Sequence, residues 1–255
     1  MERLGRERLV VALSLAGVVA LAWLWLWRQA AAMQMSGMEM AGTTMAMPAM
    51  AAPDALGVGL VFVMWMVMMA GMMLPSAAPA ILLYGAVVRK HAERGSVQPA
   101  VWLFVAGYVL MWAAFSLGAA LLQALLQHLA LLDPMMSSSS KKLSALLLIS
   151  AGVYQFTPLK DRCLSKCRQP LQFFVTHWRA GKVGALRMGM NHGGYCVGCC
   201  AMLMLLLFAL GVMNLAWVAA IAAFVLVEKL LPGGRAAARV AGGALIALGA
   251  ATLLL

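Results

Sequence analysis

Long apolar blocks alternate with short polar or basic segments along the whole chain. After the charged start MERLGRER, Leu9 to Trp27 is a run of 19 residues without a charge. As a helix it is long enough to cross a hydrocarbon layer of about 30 Å. Further apolar blocks follow at Gly57–Leu74, Gln98–Leu122, Leu143–Phe156, Met188–Val212, Leu215–Val227 and Val240–Leu255. The second can also continue past Pro75 and Pro79 to Tyr84. Strand-like alternation is absent, and the breaks carry Pro, Gly, Asn or Ser. The pattern predicts an all-α polytopic transmembrane helix bundle of about seven spans.

Composition agrees with this pattern. The chain has 255 residues, 64% hydrophobic and 11% charged, where a soluble domain carries about 25% charged residues. No stretch is left over for a sizeable soluble domain. The net charge of +11 is better explained by topology than by nucleic acid, because no basic tract is interleaved with aromatics. With the N-terminus inside, 16 of the 19 Lys and Arg fall on the inner side, leaving Arg28, Lys141 and Lys142 outside. The excess of basic residues in cytoplasmic loops therefore predicts N-in, C-out. A leading apolar run after arginines can also be a signal peptide. Its length and the interfacial Trp23, Trp25 and Trp27 favour an uncleaved first span. The expected division is a first span at 1–27, a flexible outer loop at 28–56, a helix bundle at 57–235 and a terminal span at 236–255, in a bacterial inner membrane.

Two residue types then change the picture. The chain has 22 Met, seven of them between Met33 and Met50 (Met33, Met35, Met38, Met40, Met45, Met47 and Met50). Ala, Gly, Thr, Ser and Pro fill the gaps, so no core can form there, and neighbouring thioethers can close on one ion without a fixed fold. In the second block Met64, Met68 and Met72 recur every four residues beside Met69 and Met73. Such a stripe is also ordinary helix packing, since Met fills irregular gaps. The five Cys are Cys163 and Cys167, in a basic segment, and Cys196, Cys199 and Cys200, which begin four residues after His192.

If the Met188–Met204 segment is one helix, Met188, His192, Cys196, Cys200 and Met204 form one ridge, with Cys199 beside it. Gly193-Gly194 is expected to loosen it. Thiolate, thioether and imidazole are the soft and borderline ligands that select Cu(I). Zinc is the alternative for a C-x-x-C with a His, and C-V-G-C-C lacks the His of covalent haem attachment. Counting inward from the outer side puts Met68 near the depth of Cys200, so that Met68, Met69, Met72 and Met73 face the cysteines. The basic neighbours of Cys163 and Cys167 are expected to favour thiolate. Glu228-Lys229, at the end of the sixth block, is expected to be an interfacial ion pair or a snorkelling pair.

Four pieces resemble a bacterial family of metal-binding integral membrane proteins. They are Trp65–Ser76 (WMVMMAGMMLPS), Gly152–Pro170 (GVYQFTPLKDRCLSKCRQP), His192–Cys200 (HGGYCVGCC) and Glu228-Lys229. Members of that family include membrane copper chaperones that accompany tyrosinases and laccases. The resemblance covers about residues 57–235 and leaves out the Met-rich loop and the first and last spans. It implies copper handling on behalf of another enzyme.

The expected function is thus an integral membrane copper(I) protein, not an enzyme, that captures copper and passes it to a cuproenzyme or another copper carrier. Two other classes stay open. One is a membrane thiol–disulfide oxidoreductase using Cys196-x-x-Cys199, with Cys163 and Cys167 as a relay. The other is an assembly subunit of a membrane oxidase, its cysteines incidental.

Overall fold

The computed structural model describes residues 2–41, 55–91, 98–132, 138–176 and 178–254, with backbone alone at 2–6, 33–41, 55, 90–91 and 98. Its helices are α1 (Glu2–Ala41), α2 (Ala55–His91), α3 (Gln98–His128), α4 (Lys141–Tyr154), α5 (Pro158–Arg168), α6 (Pro170–Thr176), α7 (Gly181–Leu205), α8 (Leu207–Leu210), α9 (Leu215–Leu230) and α10 (Gly234–Leu254). No strand is assigned among the described residues; one isolated bridge joins Leu132 and Ser138. The protein is all-α, as the apolar blocks imply.

Among the described residues, five helices are long and apolar enough to cross a membrane: Glu7–Ala32, Leu56–Arg89, Pro99–His128, Gly181–Leu210 and Gly234–Leu254. The expected fourth and sixth spans appear as α4 and α9, with only 14 and 16 residues. At 1.5 Å per residue they rise about 21 and 24 Å, short of a full hydrocarbon layer. The burial pattern is inverted relative to a soluble protein. Leu9, Leu13, Leu21, Leu60, Leu110, Leu146 and Val240 face outward, while Lys160, His192, Glu228 and Lys229 are buried. Apolar faces turned outward on several helices suit a lipid solvent.

Local sequence sets the helix ends. Asn214 caps α9 by accepting from the Ala216 N–H at 3.1 Å, and Ser140 caps α4 at the Leu143 N–H. Thr157 caps α5, with Pro158 in the first turn, where its missing N–H costs nothing. Pro75 and Pro79 lie inside α2, which nonetheless continues as one helix. Pro75 cannot donate to the carbonyl of Gly71 four residues back. The Trp23 indole N–H of α1 donates to that carbonyl at 3.3 Å instead, so the aromatic read as an interfacial anchor also satisfies a backbone group.

Two further differences from the expected layout concern α1 and α7. The backbone of α1 stays helical through Ala41, beyond the apolar run and into the stretch expected to be a loop. Helix α7 begins at Gly181 rather than Met188 and passes through Gly193-Gly194 without a break. Gly193 serves packing: a Cβ there would lie 3.0 Å from the Tyr108 carbonyl oxygen of α3. At Gly189 a Cβ would lie 2.0 Å from the Phe104 oxygen, and at Gly107 it would lie 2.2 Å from the Leu186 oxygen. Small residues let the two backbones approach, a common device where helices associate in lipid. Antiparallel to α7, helix α2 sets Trp65 against Phe208, ring centroids 5.2 Å apart. The other end of α2 brings Tyr84 against Phe174.

Candidate metal centre

All five ridge residues, Met188, His192, Cys196, Cys200 and Met204, are buried, and so is Cys199. The continuous helix keeps Met188 and His192 in line with the cysteines. Within the cluster the Cys199 and Cys200 sulfurs are 3.2 Å apart, and the Cys199 thiol donates to the Cys196 carbonyl at 3.2 Å. Cys196 adjoins Cys167, Cys199 and Cys200. Its Sγ lies 3.0 Å from the Tyr108 hydroxyl and receives a hydrogen bond from Lys229 Nζ at 3.0 Å. All five cysteines are free thiols.

A separate segment completes the group. Lys160, Cys163, Leu164 and Cys167 follow the i, i+3, i+4, i+7 spacing of one helical face. On α5 this face turns inward, with Lys160 and Leu164 buried and both cysteines half-buried. Cys167 Sγ comes 3.9 Å from Cys199 Sγ, and Cys163 packs against Gly198, where a Cβ would meet its sulfur at 2.8 Å. Two anchors hold α5 there. Lys160 forms an ion pair with Glu228 of α9 at 2.5 Å and donates to Gln155 Oε1. Arg168 donates to the carbonyls of Glu228 and Leu231, both at 2.8 Å, and of Pro232 at 3.3 Å. A guanidinium on terminal carbonyls is a favourable helix end.

These anchors correct two expectations. Lys160 and Arg168 are engaged with α9, so they do not act as nearby cations holding the α5 thiols low. Burial instead pushes the Cys163 thiol up. Glu228 and Lys229 are not an interfacial pair either. Both are buried, and consecutive residues diverge by about 100° around a helix. Glu228 reaches Lys160, while Lys229 reaches Ser76 Oγ at 3.1 Å and Cys196.

Met68, Met69, Met72 and Met73 are all buried in the same apolar core as the cysteines. The polar links from α2 to the thiols run through other groups. Tyr108, whose hydroxyl touches Cys196, also donates to the Met73 carbonyl at 3.3 Å, and Lys229 joins Ser76 to Cys196. His192 sits one turn from Cys196 inside an aromatic compartment of Phe104, Tyr108, Phe173 and Phe174, ring centroids 5.8 to 6.4 Å away. Its buried Nδ1 has no hydrogen-bond partner. The side chains of Met33, Met35, Met38 and Met40, and Met45 and Met47 altogether, lie outside the described residues.

Sequence reasoning missed Tyr108, Ser76 and Lys160, and misplaced Lys229. The α5 face was legible from its spacing, and a Lys inside such a face signals a buried partner. Tyr108 carried no local signal at all. Among the described residues no three His, Cys, Asp or Glu side chains surround a single point as a metal cage. The arrangement offers close thiol pairs instead, Cys199 with Cys200 and Cys199 with Cys167.

Comparison with known proteins agrees with this chemistry. A family model described as PpoB2, copper chaperone, matches residues 62–252. No curated protein and no solved structure matches the chain.

Proposed function

The chain belongs to the PpoB2 copper chaperone family, and on that premise we propose that it is a bacterial inner-membrane carrier that hands Cu(I) to a partner cuproenzyme, without catalysing a reaction itself. Copper is its cargo. In this reading the bundle crosses the membrane with the N-terminus inside and the C-terminus outside, α4 and α9 completing seven passes as short spans. Met33, Met35, Met38, Met40, Met45 and Met47 collect copper on the outer side. Met68, Met69, Met72 and Met73 line the approach to Cys196, Cys199 and Cys200, with His192 as an auxiliary donor. Cys167 and then Cys163 carry the ion toward the basic end of the bundle.

One observation carries this reading: thiols from two separate segments, Cys167 on α5 and Cys196, Cys199 and Cys200 on α7, meet inside the bundle. Inert structural cysteines have no reason to converge across a fold. Cysteine must lose its proton to bind metal, so acid competes with the cargo and copper retention falls as pH falls. The test is the copper content of protein purified under reducing conditions. Wild type is expected to hold Cu(I), and the Cys196→Ser/Cys199→Ser/Cys200→Ser variant to lose it. Undiminished copper in that variant sinks the cysteine site. Alkylation trapping in the same preparations separates the thiol–disulfide alternative: constant free thiols fit a carrier, and a cycling Cys196–Cys199 disulfide would replace it with an oxidoreductase.

A further inference from the structure

Helices α2 and α3 run antiparallel and are pinned together at two levels. The Trp65 indole N–H donates to Gln123 Oε1 at 2.8 Å, and the Tyr108 hydroxyl donates to the Met73 carbonyl at 3.3 Å. Between those levels the buried side chains of α2 are the thioethers of Met68, Met69 and Met72. The facing ridge of α3 is polar. Tyr108, Trp112, Ser116 and Gln123, each at most 3% exposed, recur at the spacing of one helical face. Its two middle members are unpaired: neither the Trp112 indole N–H nor the Ser116 hydroxyl has a hydrogen-bond partner among the described residues. A buried donor without an acceptor is costly, and lipid around the bundle offers it none. Polar side chains turned into a membrane bundle mark water-filled space or a substrate path.

We propose that this seam binds an internal water, held by the Trp112 N–H and the Ser116 hydroxyl beside the Met69 thioether, so that the approach to the thiols is wet. Trp112 and Ser116 are one helical turn apart, which puts their Cβ atoms about 5–6 Å from each other. A water that accepts from the indole and donates to Ser116 Oγ, each bond about 2.9 Å, bridges such a gap. There is room beside Trp112: Met66, Met69, Leu74, Tyr108 and Trp112 line a cavity of about 10 Å³, close to the least that holds one water. Neither polar partner is charged, so a resident ion there would be uncompensated, whereas water matches a donor and a hydroxyl. The proposal deepens the copper-carrier reading and rests on it only for the water's purpose. Copper passing the α2 thioethers has left bulk water and has not yet reached the thiols. A water bonded in this way keeps one lone pair for the passing cation, replacing part of the hydration it has lost.

Radiolytic hydroxyl-radical labelling of the full chain in detergent, read residue by residue by mass spectrometry, tests this. Radicals formed from a bound water oxidise the side chains beside it, even where bulk solvent does not reach. Trp65 is the internal control, fully buried with its N–H already paired to Gln123. In wild type, Trp112 and Met69 are expected to be labelled several-fold faster than Trp65, each rate taken relative to the residue's intrinsic reactivity. Ser116→Ala is expected to lose that excess at both positions, because a single polar partner does not hold a buried water. Trp112→Phe is expected to lose it at Met69. A low rate at Trp65 shows that a variant has kept its fold, and whichever variant keeps it decides. Wild-type rates at Trp112 and Met69 no higher than at Trp65 overturn the proposal, as does an excess that survives in a folded variant. The copper content of the same preparations separates the two readings: wild type without Cu(I) overturns the carrier, while the labelling still decides the water.

Discussion

Two helix seams use the same packing device and end in different chemistry. Between α3 and α7, Gly107 and Gly189 let backbone meet backbone, with virtual Cβ distances of 2.2 and 2.0 Å. Between α4 and α10, Gly152, Gly242 and Gly249 do similar work at 2.6 to 2.8 Å, partly against the side chains of Ile246, Gln155 and Ile149. The first seam carries Tyr108 one turn beyond Phe104, and its hydroxyl reaches Cys196 and the Met73 carbonyl. The second is lined by Ala145, Ile149 and Ile246, which carry no ligating atoms. Helix α4 turns its polar groups elsewhere: Tyr154 reaches the Gly198 carbonyl, and Gln155, just past the helix end, reaches Lys160. Close approach alone does not make a site; it makes one where a polar side chain rides on the approaching helix.

The strongest way to break this comparison is to push both seams apart by one methyl. Gly189→Ala sets a Cβ against the rigid Phe104 carbonyl and is expected to lower stability by about 3 kcal/mol or more, with copper lost as the seam opens. Gly249→Ala meets Ile149 Cγ1 at 2.6 Å but backbone atoms only at 3.1 Å. Its cost is expected to be smaller, about 1 to 2 kcal/mol. Thermal unfolding in detergent reads both, and equal losses would remove the distinction. Next in size is Cys167→Ser, which touches neither seam. It is expected to weaken Cu(I) retention about tenfold, in the range of supporting groups around a metal. Cys163→Ser is expected to do less, because Cys163 abuts Gly198 rather than a thiol; a chelator titration that ranks them the other way would put Cys163 ahead of Cys167 on the route. The smallest effect belongs to Tyr108→Phe. Loss of its hydroxyl is expected to cost about 1 kcal/mol in stability while copper is kept, and full loss of copper would make Tyr108 part of the site itself.

Much of the fold and part of the site were legible in the chain. The apolar blocks marked α1, α2, α3, α7 and α10, because a helix in lipid must be apolar along its own length. Boundaries were harder. Helix α2 runs through Pro75, and Trp23 satisfies the Gly71 carbonyl that this proline releases, a contact between residues far apart in sequence. Gly193-Gly194 reads as a break in the sequence, yet α7 runs through it, because Gly193 packs closely on α3. The ridge on α7 was visible from its four-residue repeat. The convergence of α5 on it was not, because it depends on Lys160 finding Glu228 and Arg168 finding the end of α9.

What the sequence determined by itself is the class of molecule and the chemistry of its donors. Apolar length fixes helices long enough to cross a membrane, and the family ties the chain to copper. Both are properties of the residues, independent of where each ends up. Tertiary structure alone decided which donors meet. It brought Cys167 to Cys199, parted Glu228 from Lys229, and set Lys229 against Cys196. The reason is physical: a buried charge must find its partner in the folded interior, and that partner is chosen by packing across helices rather than by order along the chain.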